Sequence, residues 1–172
     1  GIYYDATRSN ELETLLNSDA PLATSDEATT VARARAQLTA HGLSKYNHAP
    51  DVDGGGLCRF AARNEAGEQG NDIPIQRVLV VDQTAGDMSV SLGGASAQSF
   101  TDMLAAAKAE NPQANIYVKT HPEVSSGRKG GYLTQVQPDS RTVLLRDAVN
   151  PISLLAHMDK VYVVTSTMGF EA

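Results

Sequence analysis

Four short runs of β-branched and apolar residues constrain this chain more than any other feature. They are Arg77-Val78-Leu79-Val80-Val81, Asn115-Ile116-Tyr117-Val118-Lys119, Thr142-Val143-Leu144-Leu145 and Val161-Tyr162-Val163-Val164. Such runs suit strands that are buried on both faces, which requires a sheet covered by helices on each side. The links between them agree. Residues 97–110 carry Phe100, Met103, Leu104 and Ala107 at helical spacing. A second helix is expected between the last two runs, with Asn150 as its cap, Pro151 in its first position and Ile152, Leu154 and Leu155 inside. Alternating β and α segments predict an α/β fold, a doubly wound, Rossmann-like parallel sheet.

The region before residue 76 has a different grammar. Residues 10–18 predict a short helix, with Asn10 as cap and Leu12, Leu15 and Leu16 on one face. Thr24 and Glu27 form a capping box ahead of a second helix. Val31, Ala34 and Leu38 are its expected core stripe, and Gly42 is placed to end it. Residues 51–72 are polar and glycine-rich around a small island, Leu57 to Phe60. They predict a linker or insertion and the best domain boundary, which divides the chain into 1–50, 51–75 and 76–172. Gly1-Ile2-Tyr3-Tyr4 opens the sequence on apolar residues, and Ala172 closes it where a helix should begin. Both ends lead us to expect a fragment of a longer protein.

Composition excludes some functions. The formal net charge is -6, and no dense Lys/Arg run exists, so nucleic-acid binding is not expected. One cysteine, Cys58, allows no internal disulfide and no cysteine metal cluster. His41, His48 and His157 show no metal-ligand spacing, and no metal is expected. No run of about 18 apolar residues occurs, so no transmembrane helix is expected. Nor is a basic-then-apolar leader read at the amino end.

Three clusters follow predicted strands, where an open parallel sheet binds its ligands. Asp82-Gln83-Thr84-Ala85-Gly86-Asp87 follows the first. Its carboxylates are either turn formers or groups that attack or stabilise an electron-poor carbon. The loop lacks the G-x-G-x-x-G order of a dinucleotide site. His121-Pro122 follows the second strand, and the proline stops that strand. The imidazole is either structural or a donor to a phosphate. Thr165-Ser166-Thr167-Met168-Gly169-Phe170-Glu171 follows the fourth. Its hydroxyls and helix start suit either ordinary capping or a phosphate, and Glu171 could accept from ribose hydroxyls. A basic loop, Ser125 to Tyr132, holds Lys129 and is either solvated or an anion clamp.

Together these residues resemble the KpsC/LipB family of capsular polysaccharide β-Kdo transferases. The resemblance runs through Gly1 to Arg8, Gly42 to Asn47, Val78 to Asp87, Val118 to Val124, Gly130 to Leu133 and Val161 to Ala172. It implies a GT-B-like glycosyltransferase with two facing Rossmann-like domains. Residues 1–50 would be the tail of the acceptor-side domain with its connecting helices. Residues 76–172 would begin the nucleotide-sugar-binding domain.

The resemblance implies CMP-Kdo as donor, no separate cofactor, and a lipid-linked Kdo acceptor in capsule biosynthesis. Gln83 and Asp87 match a glutamine followed four positions later by the catalytic aspartate, with Asp82 as backup. His121, paired with Pro122, would contact CMP. The turn from Ser166 through Thr167 to Gly169 would hold its phosphate. The family setting implies the cytoplasmic face of the inner membrane, with peripheral contact to that membrane or to a capsule export complex. Two alternatives stay open: a non-catalytic capsule assembly module, and an α/β phosphate hydrolase with Asp82 as nucleophile.

Overall fold

The computed structural model describes residues 7–21, 23–52 and 75–172. In chain order the helices are α1 (Glu11–Leu16), α2 (Ser25–Ala40), α3 (Met88–Leu92), α4 (Ala97–Glu110), α5 (Pro122–Ser125), α6 (Pro151–Leu155) and α7 (Met168–Glu171). The strands are β1 (Arg77–Val81), β2 (Asn115–Lys119), β3 (Thr142–Leu145) and β4 (Lys160–Tyr162). All neighbouring strands are parallel, and the sheet order is β3-β2-β1-β4.

The side-chain period of two along β1 divides the core. Val78 and Val80 join Ile116 and Val118 under Phe100, Met103 and Ala107 of α4. Leu79 and Val81 face the other way, with Tyr117, Leu154 of α6 and Met168 of α7. Helices therefore cover both faces, and the doubly wound α/β sheet expected from the sequence is present. Each large apolar side chain buried here stabilises the fold by roughly 1.5–3 kcal/mol.

The first three strands and α4 have the expected bounds. The fourth run starts one residue earlier, at Lys160, and ends at Tyr162 rather than Val164. Its ladder with β1 stops at the Val80–Tyr162 pair. Further on, the Thr165 N–H donates to the Gln83 side-chain oxygen (3.0 Å) instead of to a strand.

The amino-terminal helices show the predicted caps but not the predicted core. Asn10–Glu13 and Thr24–Glu27 both close capping boxes. Gly42, with φ of 56°, ends α2 in a Schellman turn: its N–H donates to Thr39 and the Leu43 N–H to Leu38. Yet neither helix buries a residue. The stripe expected to pack inside is largely in solvent, with Val31 54 % and Leu38 46 % exposed. Leu12, Leu15 and Leu16 are exposed as well. These faces stay largely in solvent, so periodicity here marks an apolar stripe that no described element buries. The predicted linker and its island lie mostly outside the described residues, as does the apolar opening at 1–4.

The segment after α2 returns to the sheet. Asn150 anchors it twice, donating from Nδ2 to the Gly42 carbonyl (3.2 Å) and from its backbone to Pro50 (2.7 Å). Ser153 Oγ accepts from the Val52 N–H at 2.8 Å. Residues 43–49 are thereby held beside the start of α6. The glycine-rich loop before Tyr132 is also tied down. Thr84 bridges Gly131, and Tyr132 stacks on Phe100 with centroids 4.2 Å apart.

Candidate functional site

Chain order reverses at β1: β2 lies on one side of it and β4 on the other. Ligands of open α/β sheets bind beyond the carboxyl ends of the strands at such a switch point. A cavity of about 300 Å³ opens there, lined by the ends of β1 and β2 and by the segment that follows β4. Asp82, Asp87, His121, Pro122, Ser166, Thr167 and Glu171 are among its walls. The three clusters that follow separate strands thus meet in one crevice.

Gln83 closes the floor between β1 and β4. Its Nε2 donates to Thr165 Oγ1 (3.0 Å), and its Oε1 accepts from the Thr165 N–H. Ser89 Oγ lies 3.1 Å from Thr165 Oγ1 and completes the staple.

The two aspartates have separate roles. Asp82 is 2 % exposed. Its Oδ1 accepts from the backbone N–H groups of Gln83 (2.9 Å), Tyr132 (3.0 Å) and Leu133 (3.2 Å). Burial pushes its carboxyl up, while those three donors pull it back. Gly131 packs over the other oxygen so closely that a Cβ there would stand 2.3 Å from Oδ2. Asp82 therefore clamps the 130–133 loop onto the sheet.

Asp87 is half-buried and caps α3, accepting the Ser89 N–H at 2.9 Å. Burial opposes its charge. The Ser89 N–H and hydroxyl, the Gln83 amide and the field of Lys45 together outweigh that, so its carboxyl titrates below the usual range. It is a cavity-lining carboxylate that stays anionic at neutral pH. Asp87 thus both caps a helix and lines the cavity.

His121 caps α5 in the same dual manner. Its Nδ1 accepts the Glu123 N–H (3.2 Å), and its Nε2 lies 3.0 Å from the Tyr46 hydroxyl. Burial lowers its pKa, helped by Lys45 and Lys119 and opposed by Glu123 and Asp87, so the ring is neutral at pH 7. Lys119, at the end of β2, is buried yet lines the same cavity. Its Nζ donates to the Thr120 (2.9 Å) and Asp147 (3.0 Å) carbonyls. Burial brings its pKa down to about 8, against the pull of Asp147.

On the third wall, Ser166 Oγ accepts from the Met168 N–H at 3.3 Å. Thr167 begins α7 without a side-chain cap bond, so its hydroxyl is not spent on the helix. Gly169 does not line the cavity. It lets α7 pack against the strand end, because a Cβ there would meet Val163 Cγ2 at 2.5 Å. Lys129 also lies away from the cavity, and its ammonium pairs with Glu123 at 3.0 Å.

Sequence reasoning gave no site role to Lys45, Tyr46 or Ser89 and took Lys119 and Thr165 only as members of the His121 and Ser166 clusters, yet all line the cavity. Tyr46 and Lys45 belong to a polar turn far from the strands in sequence. The signal available for them was their place in the Gly42-to-Asn47 block of the resemblance. Among the described residues, no group of three or more His, Cys, Asp or Glu side chains is arranged to hold a metal ion.

Comparison with known proteins agrees with this picture. A family model described as "Capsule polysaccharide biosynthesis protein" matches residues 1–172. The capsule polysaccharide modification protein LipA of Neisseria meningitidis serogroup A is 46 % identical over 175 residues, covering 100 % of this chain and 23 % of LipA. The lipopolysaccharide-processing protein LpsZ of Rhizobium meliloti is 33 % identical, with 36 % of its length covered. The chain thus spans about a quarter to a third of the curated relatives it matches. Among solved structures, Thermosulfurimonas dismutans KpsC, a beta Kdo 2,4 transferase, superposes with a TM-score of 0.80 at 43 % identity, over 99 % of this chain and 49 % of that one. By sequence along its whole length and by the fold that carries the cavity, the chain belongs to the capsule polysaccharide biosynthesis protein family.

Proposed function

We propose that this chain is the donor-site part of a retaining glycosyltransferase that moves Kdo from CMP-Kdo to a lipid-linked acceptor during capsule synthesis. One observation carries the reading: an anionic Asp87, the His121 segment and the Ser166–Thr167 hydroxyls face a single cavity at the switch point. The KpsC neighbour is itself a Kdo transferase, which supports the sugar class.

In this reading CMP departs from the anomeric carbon with its bonding electrons, and positive charge builds on the sugar. Asp87 attacks that carbon from the opposite face and forms a glycosyl-enzyme. The acceptor hydroxyl then displaces the carboxylate and releases its proton to solvent, with net retention. The His121 segment and the Ser166 and Thr167 hydroxyls stabilise the departing phosphate. Each well-placed donor of this kind is worth roughly 3–4 kcal/mol. Lys119 and Lys45 offset the charge of a donor that bears both a phosphate and a sugar carboxylate. Glu171, on the same wall, accepts from the ribose. Residues 76–172 then form the first part of the nucleotide-sugar half of a GT-B-like enzyme. A nucleotide-sugar donor and a lipid acceptor place it at the cytoplasmic face of the inner membrane. A phosphate hydrolase built on Asp82 is disfavoured, because Asp82 Oδ1 is committed to three backbone donors and Gly131 covers Oδ2.

The test uses the full-length protein with CMP-Kdo and a lipid-linked acceptor. Asp87→Ala should lower turnover by about 10⁴-fold or more, as loss of a covalent nucleophile does. Mass spectrometry of the quenched wild-type enzyme should find Kdo on the peptide that contains Asp87. Wild-type turnover in the variant discards the assignment.

A further inference from the structure

The hydrogen-bonding of His121 leaves its ring little freedom to serve a ligand directly. Nδ1 accepts a backbone N–H, from Glu123 at 3.2 Å, so the proton of the neutral ring must be on Nε2. That Nε2–H has a partner already: it lies 3.0 Å from the Tyr46 hydroxyl oxygen. The phenol accepts from the imidazole, and its own O–H is left to donate elsewhere. Tyr46 lines the cavity beside Lys45 and His48.

Tyr46 is held in place from several directions. The rings of His48 and His121 meet it edge-on, with centroids 6.2 and 6.0 Å away. The Lys45 ammonium stands 5.5 Å from its ring centroid. Its segment is anchored by Asn150 at Gly42 and Pro50. The phenol is therefore a preorganised donor, brought to the sheet by a chain segment remote from every strand.

We propose that Tyr46 donates to the departing phosphate alongside the Ser166 and Thr167 hydroxyls, and that His121 is a positioning residue acting through it. The inference rests on the reading of the cavity as a cytidylate site. Donation from Nε2–H to the phenol oxygen polarises the phenol O–H and strengthens the bond it gives to the phosphate. No proton has to move, since the departing phosphate carries its own electron pair and needs only hydrogen-bond stabilisation.

Three variants of the full-length protein test this. Tyr46→Phe removes the phenol donor and keeps the ring. His121→Asn keeps an acceptor for the Glu123 N–H at the helix cap but removes the Nε2–H. The third is the double variant. Calorimetric titration with CMP and with cytidine separates phosphate recognition from folding. Tyr46→Phe should lose at least about tenfold in CMP affinity with cytidine affinity unchanged, and should lower kcat by about 10²-fold. His121→Asn should show a smaller loss of the same kind. The double variant should be no worse than Tyr46→Phe. Wild-type CMP affinity in Tyr46→Phe, or losses that multiply in the double variant, overturns the relay while leaving the cytidylate reading intact. Failure of the wild-type protein to bind either CMP or cytidine overturns both.

Discussion

Helix α2 and strand β1 both carry apolar residues at the spacing of their own element, and the structure treats them differently. Val78, Leu79, Val80 and Val81 are all buried, whereas α2 buries nothing. The difference lies in what surrounds them. β1 is central, with β2 and β4 on its flanks and helices on both faces. α2 has caps at each end, but no described element buries its stripe. A pattern announces which face is apolar. Whether that face is covered depends on elements elsewhere in the chain.

The sharpest break of this comparison is a pair of truncations in the same chain. Leu79→Ala empties a fully buried site and should cost about 2–5 kcal/mol, read as a fall in the urea midpoint. A loss under 1 kcal/mol would mean that β1 is not the centre of the core. The next largest effect is at the loop clamp. Gly131→Ala drives a methyl group into Asp82 Oδ2 and Val124, and should cost about 1–3 kcal/mol. Unchanged stability would show that the 130–133 loop is not fastened to the sheet.

Lys119 supplies a pH test. Its ammonium titrates at about 8 in the folded protein against an ordinary value of 10.5. Between those values the unfolded chain binds more protons, so this residue makes stability rise with pH there. The anion site behaves oppositely. As pH rises through 8 the cation is lost, and CMP affinity should fall by at most about tenfold per pH unit. Lys119→Met should flatten that limb, and an unaltered limb removes Lys119 from the site. The smallest effect belongs to α2: Leu38→Ala should shift stability by no more than about 0.5 kcal/mol. A larger cost would show that the helix face is covered after all.

Much of the framework was legible beforehand. The strand runs 77–81, 115–119 and 142–145, the helix 97–110 and the caps at Asn10, Thr24 and Asn150 are local signals, and the structure contains them. Helices α3 and α5, of five and four residues, were not foreseen. Their caps, Asp87 and His121, were noticed for their chemistry instead. Lys129 looked like an anion ligand because it is a cation in a glycine-rich loop. Its pairing with Glu123 depends on how that loop leaves α5, which no local pattern records.

The sequence alone determined the α/β alternation, and with it that acid, imidazole and hydroxyl clusters follow parallel strands. Those are consequences of periodicity and capping, which act over a few residues. Tertiary structure alone decided that Tyr46 reaches His121 across 75 positions, that Gln83 staples Thr165 across 82, and that Asp82 is spent on the 130–133 loop. Such contacts are chosen by the order of strands in the sheet and by the close approach that Gly131 permits. Neither has a signature in any short stretch of residues.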